Sequence, residues 1–278
     1  MRKLVRSQTA KRLMSLDRGV RQVAKKPKDA EAIHDLRVSV RRFRQELNVF
    51  EEWLKPGPVK RIRGTLKKLM DRCAAVRNCD IAKEVLQAAG YVSQKLVADL
   101  EMERQHARKD LARTLTHWRH RDRVRKWREH LRIVRPSAKS EAGGSVSENA
   151  RRLLPAMIED FFRAGREAAR PRSTHRRMHG LRLEAKRVRY TLELFEPVYG
   201  ERTEPMVESL KELQDRLGAI NDCATTLEMV RRNRGAAAAV RRLAGERETE
   251  FREHWKKHFG PRERVGWKAV LIAADGKK

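Results

Sequence analysis

Apolar residues recur at three- and four-residue intervals along nearly the whole chain, the spacing that lines one face of an α-helix. No run alternates apolar and polar residues between turn signals as a strand would, so the sequence predicts an all-α fold. The periodic stretches place helices at about 3–25, 29–54, 58–76 and 79–135, then at about 148–169, 174–199, 204–220 and 221–257. Between the two sets, PSAKSEAGGSVS at 136–147 has the small, polar composition of a linker. Four helices on either side suggest two four-helix bundles, 1–135 and 148–258, with a tail at 259–278 to which no function attaches.

An internal repeat strengthens that division. HDLRVSVRRFRQELNVF, starting at His34, aligns without gaps on HGLRLEAKRVRYTLELF, starting 145 residues later at His179. LKKLMDRCAAVRNC, from Leu66, aligns on LKELQDRLGAINDC, from Leu210. Set at about 100° per residue, His34, Arg37, Arg41 and Arg44 share an arc of roughly 80°. Leu36, Val40, Phe43, Leu47 and Phe50 share a second arc on another side. The second copy repeats both: His179, Arg182, Lys186 and Arg189 on the basic arc, and Leu181, Ala185, Val188, Leu192 and Phe195 on the apolar one.

Charge turns these arcs into candidate sites. The 278 residues hold 66 Lys and Arg against 37 Asp and Glu, a net charge of +29 spread through the periodic segments, which implies an acidic partner rather than a disordered tail. An ordinary solvated helix face mixes both signs to gain pairing between adjacent turns. Each basic arc has four potential cations and no carboxylate, and such a group repels itself unless an anion lies among it. Arginine forks and lysine point charges suit phosphate oxygens. Arg42 and Arg187 adjoin the arcs, Lys67 and Lys211 stand in the third-helix motif of each copy, and Tyr190 lies close enough to the second arc to contact a ligand oxygen.

Catalytic and metal chemistry find little support. No pair of carboxylates and no Cys/His cluster accompanies His34 or His179, so each imidazole is expected to be structural or to donate a hydrogen bond to a phosphate while neutral. Cys73, Cys79 and Cys223 form no CxxC pair and are expected to be small buried apolar residues. Asn78, Asp80, Asn221 and Asp222 are expected to cap the helices that follow them, and Asp71 and Asp215 to pair with neighbouring arginines. No cofactor or metal is expected. No stretch approaches the apolar length of a membrane span and the N-terminus has no hydrophobic signal core, so the expectation is a soluble cytoplasmic protein.

The doubled motif, His34-x-x-Arg37-x-x-x-Arg41-Arg42-x-Arg44 and His179-x-x-Arg182-x-x-x-Lys186-Arg187-x-Arg189, resembles the CHAD family, the conserved histidine α-helical domain, over about residues 1–258. The resemblance implies two antiparallel four-helix bundles about a pseudo-twofold axis with a basic central channel walled by the two arcs. It also implies binding of inorganic polyphosphate and association with polyphosphate granules. Asn78 stands where the first half commonly has Asp, which removes any acidic role there. The ExExK motif of a fused CYTH triphosphate hydrolase is missing, and the nearest string, Glu246 to Glu250, ends in Glu, so standalone, non-catalytic binding is implied. Nucleic acid is the alternative ligand, because phosphate attraction alone gives non-specific association. Only 5% of residues are aromatic, which disfavours base stacking. A polyphosphate-processing enzyme and a scaffold docking an acidic protein are further alternatives. Oligomeric state, polymer length and physiological purpose are not encoded in these patterns.

Overall fold

The structure is a computed structural model and describes residues 1–120, 122–131 and 145–273. It is all-helical: α1 (Arg2–Lys25), α2 (Ala30–Val49), α3 (Pro56–Ala88), α4 (Gln94–His120), α5 (Arg123–His130), α6 (Val146–Ala168), α7 (His175–Leu194), α8 (Glu196–Tyr199), α9 (Glu204–Val230), α10 (Arg234–His258) and α11 (Pro261–Ile272). Two compact units result, one from Met1–Lys83 and Ser93–Gly144, the other from Glu84–Val92 and Ser145–Lys278. One division, between Gly144 and Ser145, lies within 136–147, and the end of α3 with its turn also belongs to unit 2, to whose residues it bonds. Tyr91 donates to Asn233 Oδ1 at 3.0 Å and Arg242 to the Ala89 carbonyl at 3.3 Å.

Both predicted apolar arcs are buried. Leu36, Val40, Phe43, Leu47 and Phe50 form part of the core of unit 1, and Leu181, Ala185, Val188, Leu192 and Phe195 part of the core of unit 2. The repeat shows in the elements themselves, since α2 and α7 are each 20 residues long and start and stop at the same repeat positions. All three cysteines are free and buried. Burial pushes the Cys73 thiol up to about 12 and contributes most to raising Cys79 to about 11, which suits packing residues.

The predicted break at 76–79, and its counterpart at 220–221, do not exist: α3 and α9 run straight through. Val76, Cys79, Ala82 and Leu86 keep a buried stripe at helical spacing, and no Gly or Pro interrupts it. Asn78, Asp80, Asn221 and Asp222 are consequently interior helix residues and not caps. The real stops lie later. Gly90, with φ 67, ends the first helix in the left-handed region, and Ser93 Oγ accepts from Leu96 N at 3.3 Å as α4 begins. Asn233 caps α10 by accepting from Ala236 N at 3.0 Å. The single helix expected over 79–135 is accordingly the end of α3, then α4 and α5, with 132–135 outside the described residues. Residues 136–144 of the expected linker lie outside the described residues, and Ser145 already caps α6 through a capping box with Glu148. The expected tail contains α11, which packs on α6 and ties Arg264 and Lys268 to Glu159 at 3.2 and 2.8 Å.

One buried acid sits behind the first basic arc. Glu46 of α2 is 3% exposed and meets Arg12 Nε of α1 at 3.0 Å. Burial raises its carboxyl to about 7, with Arg12 opposing. A folded-state value above the unfolded one means that the folded chain holds the extra proton between these two values, so stability from this group falls as pH rises from 4.5 to 7. Urea titrations should show wild type gaining stability on the order of 3 kcal/mol relative to Glu46→Gln as pH is lowered across that window. Parallel curves for the two proteins would contradict it.

Candidate functional site

Each basic arc lies on a helix whose opposite side is fixed in the core, so the apolar stripe sets where the cations stand. In unit 1, Asp29 caps α2 by accepting from Glu31 N and Ala32 N at 3.0 and 3.1 Å, and His34 follows in the next turn. Helix α3 runs back antiparallel. Arg63 donates to the Leu47 carbonyl at 2.8 Å, and farther along Arg37 is close enough to Cys73 to act on its thiol. That register puts Lys67 level with Arg44. Arg37, Arg41, Arg42 and Arg44 are half-buried, and His34 and Lys67 are exposed. Among the described residues His34, Arg41, Arg44 and Lys67 have no carboxylate partner. The Arg41 Nε is buried without an acceptor, a donor that costs free energy until something accepts from it.

Unit 2 repeats the geometry with different electrostatics. Gln214 donates to the Ala185 carbonyl at 3.0 Å, which sets α7 and α9 in the same antiparallel register and puts Lys211 level with Arg189. His179 Nδ1 meets Asn221 Oδ1 at 3.0 Å. With that oxygen as acceptor Nδ1 holds the proton, so the neutral ring presents Nε2 as an acceptor, and Nε2 can donate to a phosphate only in the doubly protonated ring. The neutral-donor role expected of this histidine does not follow from the geometry. Arg187 pairs with Glu184 at 3.4 Å, Arg189 with Glu193 at 3.4 Å and Lys211 with Glu208 at 2.8 Å. Arg182 and Lys186 are half-buried beside them. Tyr190 is 8% exposed and lies under the Arg189 guanidinium, 4.6 Å from its ring centre, so it supports an arginine.

The three carboxylates are additions to the second copy. The matching positions of the first are Ser39, Asn48 and Gly64, and Arg77 replaces Asn221. Against the expectation of an arc without carboxylates, Glu193 falls on the second arc itself, and all three acids stand three or four positions from the cation they neutralise, a spacing readable from the sequence. His175, not among the expected site residues, stands one turn before His179 with ring centres 6.1 Å apart; burial first, then His179, lowers its pKa, with Glu248 opposing. Two expected helpers stand elsewhere. Among the described residues Asp71 and Asp215 are exposed and pair with no arginine, while Arg72 reaches Asp110 and Asp80 binds Arg104. No group of three or more His, Cys, Asp or Glu able to hold a metal occurs among the described residues, nor any helix long and apolar enough to cross a membrane.

A model of the CHAD domain matches residues 8–231. The chain belongs to the CHAD family. This is a family associated with polyphosphate. The structure of this CHAD protein is similar to that of the CHAD domain from the plant Ricinus communis, at 20% identity and a TM-score of 0.67, covering 98% of this chain and 91% of the other. It is also similar to PptA from Streptomyces chartreusis, at 16% identity and a TM-score of 0.63, covering 96% and 98%. At these identities the likeness speaks for the fold alone. Among curated proteins none matches the chain. The CHAD match ends just past α9, so all of α10 and α11 lie outside it.

Proposed function

We propose that the protein binds inorganic polyphosphate without transforming it, in the cytoplasm at polyphosphate granules, and that the strip of the first repeat is the stronger anchor. The observation that carries this reading is the set His34, Arg41, Arg44 and Lys67, held by α2 and α3 with no acid of their own among the described residues. Polyphosphate offers about one negative charge per phosphoryl unit and neither bases nor sugars, so it rewards closely spaced donors and little else. Arg37 and Arg42 adjoin the set. In the second strip His179, Arg182, Lys186, Arg187, Arg189 and Lys211 meet the same polymer, with Glu184, Glu193 and Glu208 competing for part of their charge.

Competition tests the ligand. Long-chain polyphosphate is expected to displace labelled duplex DNA at moderate salt, and failure to do so would favour nucleic acid. Incubation with the polymer and a divalent metal is expected to leave chain length unchanged; chain shortening or released phosphate would make the protein an enzyme. The difference between the strips has its own test. The triple variant Glu184→Gln, Glu193→Gln, Glu208→Gln should tighten polyphosphate binding about tenfold, since each carboxylate removed is a rival anion worth a few tenths of a kcal/mol to 1 kcal/mol. An unchanged or weaker affinity would mean that those acids do not compete with the ligand.

A further inference from the structure

A groove unconnected with either strip runs along α1 where that helix meets α5, inside unit 1. Three adjoining cavities of about 660, 630 and 400 Å³ compose it. Met14 and Arg128 line both the first and the second, and Asp17, Arg21 and Val124 both the second and the third. Its floor is apolar, with Leu13, Val124 and Leu131 packed below and Met14 57% exposed at the centre. Its rim is cationic. Arg6, Arg18, Lys25 and Arg128 are exposed, and among the described residues none has a carboxylate partner. The acids present, Asp17 and Asp122, are already held by Arg21 and Arg125.

We propose that this groove docks an acidic amphipathic helix of a partner protein. From Arg6 to Lys25 the groove follows α1 for about 28 Å, roughly five helical turns, which suits a helix laid along it with apolar side chains down and carboxylates against both rims. The exposed, deformable Met14 suits an apolar anchor. A polyphosphate chain gains nothing from an apolar floor. Nucleic acid gains little, because the nearby Trp118 and Trp127 are 4% and 7% exposed and offer no free face for a base. A membrane would require apolar side chains standing above the surface, whereas these lie at the bottom of a hollow.

The probe is a fluorescein-labelled peptide of about 18 residues with leucines at i, i+3, i+4 and i+7 and glutamates elsewhere, beside a scrambled peptide of equal composition. Anisotropy titrations of the full chain at moderate salt are expected to give at least tenfold tighter binding for the amphipathic peptide. Met14→Glu and Arg128→Glu, both at exposed positions, should each weaken it about tenfold while leaving polyphosphate affinity within about twofold. Saturating polyphosphate should not displace the peptide. Equal binding of the two peptides, displacement by polyphosphate, or indifference to both substitutions would overturn the docking role, and none of these bears on the strips of α2 and α7.

Discussion

Arg41→Glu is expected to weaken binding of long-chain polyphosphate about a hundredfold while helicity and melting stay close to wild type. The side chain is half-buried on α2, its Nε lacks an acceptor, and no carboxylate of the described residues neutralises it. A hydrogen bond to a charged group is worth about 1.5–3 kcal/mol. Reversal removes it and adds repulsion toward the next phosphates, and about 2.8 kcal/mol is two powers of ten. The slope of log affinity against log salt should also become shallower by about one unit, as for a lost phosphate contact in DNA binding. Arg241→Glu, an exposed change of equal charge on α10, should cost less than about threefold. Arg242 beside it is unsuited as a control, because it bonds the Ala89 carbonyl at 3.3 Å. Equal losses from Arg41→Glu and Arg241→Glu would mean that net charge of +29 acts diffusely, without a defined site.

The largest effect on stability is expected from one methyl group. Gly165 of α6 faces Trp255 of α10 so closely that an added Cβ would lie 1.7 Å from the indole ring. The ring has nowhere to move, being 5% exposed and packed at 5.6 Å from Phe161, 6.0 Å from Phe162 and 4.8 Å from Phe259. Overpacking a core by a methylene commonly costs about 1–3 kcal/mol, and a contact this short belongs at or above that upper figure. Gly165→Ala should therefore lower the urea midpoint of unit 2, followed by near-UV circular dichroism of its tryptophans, by an amount equivalent to about 3 kcal/mol or more. The better intrinsic helix propensity of alanine, about 1 kcal/mol in its favour, does not offset the clash. A variant as stable as wild type would show that α6 and α10 can separate without loss.

Much of this architecture is legible in the sequence because two periodic signals coincide. Leu36, Val40 and Phe43 are spaced for one helix face, and their partners 145 residues later are spaced the same way, so the core faces of α2 and α7 are fixed by pattern alone. Helix ends are less legible. Asn78 and Asn221 look like caps in isolation, yet the buried stripe continues past both, and tertiary burial overrides a local preference worth about 1 kcal/mol. The true stops depend on backbone conformation at Gly90 and on Asn233, a single polar residue in an arginine-rich stretch. At the site, the number and placement of cations follow from helical spacing. What a count of the cations alone misses is neutralisation: Glu193 falls on the second basic arc itself, between Arg182 and Lys186 in helical angle, Glu184 reaches Arg187 from one turn away, and Glu208 reaches Lys211 along α9. The burial of Tyr190 under Arg189 is likewise a tertiary outcome that no local pattern encodes.

The most direct measurement is a crystal structure of the full chain with a short polyphosphate, read for where the phosphorus atoms lie. Phosphates are expected within hydrogen-bonding distance of Arg41, Arg44 and Lys67, with fuller occupancy there than beside Arg187, Arg189 and Lys211. Phosphates scattered over α1, α4 and α10, with the strip of α2 and α3 bare, would contradict that expectation.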